Sequence, residues 1–370
     1  MRRRFLPAIC LLLCSASCPA QSAQSWQIGP FTRPAEGNPV IAPRADSVFA
    51  DPILKAPAHW EALHTFNPAA IVRNGRIYVL YRAEDSSGAM EIGGHTSRLG
   101  LAESKDGVHF TRMAEPVFYP AADSEQAHEW PGGVEDPRVV ESEDGTYVLA
   151  YTQWNRETYS VGIATSRDLI HWTKHGPAFA TAKNGKYARL KYKSAGIVTQ
   201  LAHGRLIAAR INGLYWMYWG EGSVRLATSA DLIHWAPVED MRGRPVEMLG
   251  PRPGHFDSTF PETGPPPVLT SSGIVVLYNG RNAEGPNGDA RLGAGAYAAG
   301  EALFDAGNPA LRLHRDDEPA LKPELPYEKT GQYAAGTTFA EGLVYFKKKW
   351  FLYYGCADSL VAVAVAPAKK

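Results

Sequence analysis

The stretch Ala164-Thr-Ser-Arg-Asp-Leu-Ile-His-Trp172 returns with a single difference as Ala227-Thr-Ser-Ala-Asp-Leu-Ile-His-Trp235, 63 residues downstream. A looser copy, Ala102-Glu-Ser-Lys-Asp-Gly-Val-His-Phe110, lies 62 residues upstream of the first. A unit repeated at a period near sixty residues restricts the chain to an array of one supersecondary module. It also assigns the conspicuous residues inside the unit to scaffold. His109, His171 and His234 recur with the repeat, so chemistry is sought where the copies differ.

The module is β-rich. Ile77–Tyr81, Tyr147–Tyr151, Ser160–Ala164, Arg205–Ala209, Tyr215–Tyr218, Ile274–Tyr278 and Trp350–Tyr354 are β-branched or aromatic runs. Turn pairs such as Asn74-Gly75, Asp106-Gly107, Asp144-Gly145 and Ser272-Gly273 punctuate the chain. No stretch sustains a 3.6-residue apolar period. In each copy a strand ends in a small polar group and a tight turn follows. The turn Asp is expected to accept backbone N–H groups. The aromatic residue opens the next strand and is expected to pack between sheets. About 345 residues at a period of ~62–70 make about five units, and radially arranged four-stranded blades protect their edges. The expected fold is all-β, a five-bladed β-propeller in one domain over residues 24–370. A linear β-solenoid fits less well, because its repeats are shorter.

Residues 1–23 read as a signal peptide: Arg2, Arg3 and Arg4, then an apolar run from Phe5 to Ala16, then small residues at Ala20 and Ala23. The run is too short to span a bilayer. Secretion or periplasmic location is expected, with lipid anchoring through Cys14 or Cys18 left open. Beyond the leader only Cys356 remains of 4 cysteines, so no disulfide within the chain is expected. Lys+Arg and Asp+Glu balance at 38 each, which leaves no electrostatic footprint for nucleic acid. Oligomeric state is not legible.

Several segments interrupt the repeat and join a charged residue to Gly or Pro. Asp136 precedes Pro137, which predicts an extended backbone, with Arg138 two residues on along the same strand face. Glu221 lies between Gly220 and Gly222, and Glu262 follows Pro261. Three loop carboxyls suit acid–base cleavage of a glycosidic bond. His95, His128 and His255 lack metal-ligand spacing, and no Gly-x-Ser-x-Gly or dinucleotide loop is present. No metal or organic cofactor is expected. Cys356 reads as a buried small residue, and Lys347 to Lys349 as a solvated hairpin turn.

Together these segments resemble glycoside hydrolase family 130, the β-mannoside phosphorylases and β-1,2-mannosidases. The likeness runs through Phe66-Asn-Pro68, Leu80-Tyr-Arg82, Val134-Glu-Asp-Pro-Arg138, the repeat at 164–172, Lys193-Ser-Ala195, Leu277-Tyr-Asn-Gly280, Arg315-Asp-Asp-Glu-Pro319 and Tyr353-Tyr-Gly-Cys-Ala-Asp358. The resemblance implies a five-bladed propeller acting on β-linked mannose with inversion. It makes Asp136 the proton donor, acting by relay through a sugar hydroxyl in the phosphorylases. It places Asn67, Arg82, Asp136 and Asp358 on the terminal mannose, with Arg138, Lys193 and Asp257 as further substrate contacts. Glu221 and Glu262 match the two glutamates with which the hydrolytic branch prepares a water. Where many phosphorylases read Asp-Ser-Trp-Lys followed by glycines, this chain reads Asp257-Ser-Thr-Phe-Pro-Glu-Thr-Gly264. Glu262 would repel phosphate, so the expected activity is exo-hydrolysis of β-1,2-linked mannosides. Arg138, Lys193 and Arg225 leave an anion site, and therefore phosphorolysis, open. A glycan-binding propeller without catalysis is the third alternative.

Overall fold

A computed structural model describes residues 25–369. The expected leader, with Cys10, Cys14 and Cys18, lies outside the described residues. Among these residues the structure is nearly all β. Its α-helix is Gln126–Glu129, four residues long, and two short 3-10 turns lie at Gly285–Asn287 and Pro326–Glu328.

The strands form successive antiparallel meanders. The first runs His64–Arg73, Arg76–Glu84, Ser97–Ser104 and Phe110–Arg112. The second runs Gly133–Glu141, Tyr147–Trp154, Tyr159–Ser166 and Trp172–Pro177. In the third, the short Ala195–Ile197 is followed by Leu214–Trp219, Val224–Ser229 and Trp235–Pro237. A fourth is built on Phe260–Thr263 with Val268–Thr270, then Gly273–Arg281, Tyr297–Phe304 and Arg312–Arg315. The last contains Thr338–Phe346, Lys349–Cys356 and Leu360–Pro367. Bridges Thr32↔Val365 and Ile41↔Val361 lay the N-terminal chain against its outer strand.

The meanders are unequal, unlike the uniform four-stranded units the repeat predicts. Strands Thr199–Ala202 and Arg205–Ala208 leave the third meander as a hairpin and pair in parallel with its neighbours, at Thr199↔Val268 and Ile207↔Glu141. Such bridges merge strands into a fifteen-stranded sheet beside six-, three- and two-stranded ones.

The apolar core is divided between meanders. Ile71, Leu80 and Leu101 of the first pack with Val139, Leu149 and Tyr151 of the second. Val148 and Ile163 meet Met217 and Trp235 of the third. Tyr218 and Leu226 meet Val276 and Phe304 of the fourth. Val275 and Leu277 meet Leu343 and Leu352 of the last. Val344 and Tyr353 of the last meet Val79 and Tyr81 of the first.

The repeated motif is the turn between the third and fourth strands of a meander. Ser166 Oγ accepts from the N–H groups of Asp168 and Leu169, and Asp168 Oδ1 from those of Ile170 and His171. The His171 ring lies on the other carboxylate oxygen at 2.7 Å. The same set recurs around Asp106 and Asp231. These bonds hold each carboxyl below its ordinary range despite some burial. The turn needs one left-handed residue. Gly107 supplies it at φ +90°, whereas Leu169 and Leu232 adopt φ 70°. Strain of this kind costs on the order of 1–3 kcal/mol. Burial of both leucine side chains (0% and 4% exposed) offsets it. Trp235 is buried between sheets, as the sequence predicts, and Trp172 packs edge-on against Phe118.

Cys356 is buried and free. Lys347 and Lys348 form a two-residue turn with positive φ at both positions. The polar segment 279–296 begins as strand through Arg281, and Asn282 Nδ2 then ties its remainder together by donating to three backbone carbonyls.

Candidate active site

The first strands of the first, second and last meanders carry register shifts that redirect side chains. The breaks fall between Phe66 and Pro68, between Glu135 and Arg138, and between Ala340 and Gly342. A bulge adds a residue and re-aims it. The residues so displaced are Asn67, Asp136 with Pro137, and Glu341. Asn67 and Asp136 have φ 45° and 47°. The extended backbone expected at Asp136 from Pro137 is therefore wrong: the bulge overrides the local preference. Gly355 makes room for this arrangement, since a Cβ there would stand 2.3 Å from Asn67 Oδ1.

Asn67, Arg82, Asp136, Lys193, Glu221, Glu262 and Asp358 line one pocket, with Glu135 between them. Asn67 Nδ2 donates to Asp136 Oδ1 at 2.8 Å, and Arg82 Nη1 to the same oxygen at 3.1 Å. Arg82 Nη2 donates to Glu84 and Glu135 at 2.6 and 2.8 Å, while its guanidinium lies 4.5 Å over the Phe66 ring. Burial favours the protonated Asp136, but Arg82, Lys193 and Arg138 outweigh it and hold the carboxyl below its ordinary value. Its neighbours move the other way. Burial pushes Glu135 and Asp358 up to about 7, with Arg82 opposing in each case.

A second cluster faces them. Lys193 Nζ lies 3.3 Å from Glu221 Oε1 and 3.7 Å from Glu262 Oε1. Ser194, at φ 59°, donates its hydroxyl to Glu262 Oε1 at 2.5 Å. Glu262 Oε2 is buried with no hydrogen-bond partner among the described residues. Burial pushes this carboxyl up to about 7, with Lys193 pulling it down and Glu221 pushing it further up. Burial disfavours the charged Lys193, but Glu262, Glu221 and Asp136 outweigh it and hold its proton on. The Thr263 N–H donates to Gly220 O at 3.1 Å, which couples the Glu262 strand to the Glu221 turn.

Aromatic rings wall the pocket. Tyr297 meets Tyr333 and Phe339 edge-on at 5.5 and 5.6 Å, and Trp154 stands 6.3 Å from Tyr159. Such faces suit the C–H surfaces of a sugar, while carboxyls and amides suit its hydroxyls.

Two expected contacts do not reach the pocket. Arg138 is 2% exposed and donates to the carbonyls of Asp136, Thr263 and Gly264, with Glu341 at 2.9 Å. It fastens backbone and offers no anion site. Asp257 is wholly buried, bound by Arg252, Arg315 and the Tyr278 hydroxyl. Arg225 lines an adjoining cavity that shares Tyr159, Lys193 and Glu221 with the first. No sequence signal marks Glu84 or Glu341 as neighbours of the site. Glu135 was legible only as Asp136's neighbour.

A family model described as beta-1,4-mannooligosaccharide phosphorylase matches residues 44–370. The chain is 32% identical over 334 residues to a 1,2-beta-oligomannan phosphorylase of Thermoanaerobacter sp. (strain X514), covering 90% of this chain and 95% of the relative. Among solved structures it resembles a glycosyl hydrolase from Bacteroides ovatus, with TM-score 0.91, 53% identity, and coverage of 94% and 97%. It is equally similar to a structure from work on glycoside hydrolases within the GH130 mannoside phosphorylases that target beta-1,2 mannosidic linkages in Candida mannan. That match has TM-score 0.91 at 50% identity, covering 94% of this chain and 98% of the other.

Proposed function

The chain belongs to glycoside hydrolase family 130, and from that premise we propose that it is an inverting exo-β-mannosidase that hydrolyses β-1,2-linked mannosides. One observation carries the choice of water over phosphate: Lys193 stands between Glu221 and Glu262, 3.3 and 3.7 Å away. A phosphate drawn to that ammonium would meet two carboxylates, and like charges at such range repel strongly in a partly desolvated site. Arg138, another basic residue of the expected anion site, is consumed by backbone carbonyls and Glu341.

In this reading Glu262 and Glu221 hold and deprotonate the attacking water. A carboxyl raised to about 7 is matched to general-base work near neutrality. Asp136 supplies the proton to the leaving oxygen, directly or through a sugar hydroxyl. Arg82 holds it ionised before substrate arrives, so Asp136 must take up a proton as substrate binds before it can pass one on. Asn67, Arg82 and Asp358 orient the terminal mannose. The likeness at 50% identity to a structure concerned with β-1,2-mannoside hydrolases supports the linkage.

The same reading takes residues 24–370 as one catalytic domain, a five-bladed propeller. Support comes from the core: each apolar cluster is shared by successive meanders, and one is shared by the last and the first. The leader at 1–23 supports export to the periplasm or beyond. The names of the phosphorylase relatives favour the second reading, phosphorolysis through Lys193 and Arg225.

The test is incubation with β-1,2-mannobiose with and without inorganic phosphate, followed by product identification. Mannose released at the same rate in both supports hydrolysis. Mannose 1-phosphate, formed only with phosphate, overturns it.

A further inference from the structure

Beside the pocket, where Glu84 accepts from Arg82, His64, Glu84 and His95 bring one ligand atom each to within 4.8 Å of one another. They come from three places: the start of strand His64–Arg73, the end of strand Arg76–Glu84, and the segment between that strand and the next. We propose that these three side chains bind a divalent transition-metal ion, for which Zn2+ is the fitting probe.

The hydrogen bonds orient the donors for this. His95 Nδ1 lies 3.0 Å from the Ser87 carbonyl, an acceptor only, so Nδ1 carries the proton and Nε2 the lone pair. An imidazole that donates from one nitrogen to a backbone carbonyl is in the tautomer and orientation that metal sites use. His64 Nδ1 faces Ser359 Oγ at 3.0 Å, and that oxygen already accepts from the Gln332 N–H, also at 3.0 Å. The serine hydroxyl can accept from His64 or donate to it, and when His64 is the donor its Nε2 is the ligand atom. Glu84 Oε1 is engaged by Arg82 at 2.6 Å, whereas Oε2 accepts only a long 3.3 Å bond from Gln332. Two imidazoles and a carboxylate are the ligand set of open zinc sites. Hard, oxygen-seeking cations such as Mg2+ or Ca2+ would not choose it. Side-chain shifts under ~1 Å would bring the three atoms to the ~2.0–2.2 Å of zinc bonds. Glu84 and His95 are buried and His64 is half-buried, which leaves a side for water.

Charge balance points the same way. The neighbouring pocket sets five carboxyl side chains, Glu135, Asp136, Glu221, Glu262 and Asp358, against the cations Arg82 and Lys193, although burial pushes three of them, Glu135, Glu262 and Asp358, up to about 7. A divalent ion at Glu84 offsets part of that surplus. It also ties Glu84, and through it Arg82 and Asp136, to the segment that carries Ile92 and Gly93 at the pocket wall. The ion is assigned a clamping role, not a catalytic one.

The full chain is stripped with a chelator, dialysed and titrated with Zn2+ by calorimetry, with Co2+ absorption as a second probe. One saturable equivalent is expected, together with a visible band of tetrahedral nitrogen–oxygen Co2+. His95→Ala and, at the less buried position, His64→Ala are each expected to weaken binding by more than about 10-fold. Zn2+ is expected to raise the unfolding temperature of the wild type but not of the variants. Absence of saturable binding to the wild type overturns the site. So does undiminished binding in whichever of the two variants folds.

Discussion

Asn67 donates to Asp136 across 2.8 Å, and both residues stand at bulges in first strands of adjacent meanders, with left-handed backbone. The two distortions are thus coupled: each bulge places the partner that satisfies the other.

Asp136→Asn should therefore abolish most turnover, by about 10²–10⁴-fold in kcat, the usual range for a lost general acid. Asn67→Ala leaves the carboxyl in place but removes a donor to its charged form. Its expected effect is smaller, with Asp136 titrating at higher pH. Steady-state kinetics across pH on β-1,2-mannobiose separate the two.

Glu262 makes the opposite limb of the profile testable. A base must be deprotonated, and burial raises Glu262 to about 7, so kcat/KM should rise with pH through that region. Ser194 donates to the carboxylate at 2.5 Å and so favours the ionised form. Ser194→Ala should shift the rising limb to higher pH while retaining activity on its alkaline side. Glu262→Gln should remove about 10²–10⁴-fold of the hydrolytic rate throughout. A limb unmoved by Ser194→Ala would detach Glu262 from it.

Arg138 is expected to matter for stability before chemistry. Its removal leaves Glu341 buried without a counter-ion and frees the carbonyls of Thr263 and Gly264. Breaking a buried pair from one side costs on the order of 3–5 kcal/mol at most when, as here, burial already pushes the remaining carboxyl up toward its neutral form. Arg138→Met should show a loss of up to that size in denaturant unfolding, and Arg138→Met with Glu341→Leu should recover part of it.

The repeated turn separates scaffold from site. Asp168→Ala removes acceptors from two backbone N–H groups and should cost about 1–2 kcal/mol. The His171 side chain is 85% exposed, and His171→Ala should change stability within about 0.5 kcal/mol. Neither should alter kcat/KM, and a change in kcat/KM for either would return the repeat to the chemistry.

Much of the molecule is legible in its sequence. The turn at Asp168 is written in its own residues, because a Ser, an Asp and a His within six positions satisfy one another and the backbone locally. Glu221 and Glu262 stood out because Gly and Pro flank them. Arg138 and Asp257 did not read correctly. Nothing in a sequence says whether a cation faces a cavity or is spent on carbonyls 125 residues away.

The chain's own order thus determined its β class, its repeat, its turns and the segments that interrupt them, since those follow from contacts a few residues long. Only the tertiary structure decided which interruptions meet. Asn67 reaches Asp136 across 69 residues, Ser194 reaches Glu262 across 68, and His64 lies beside His95 and Glu84. Those meetings depend on where bulges fall and how neighbouring meanders share their apolar cores. Packing sums over the whole chain, and no local stretch of it encodes that sum.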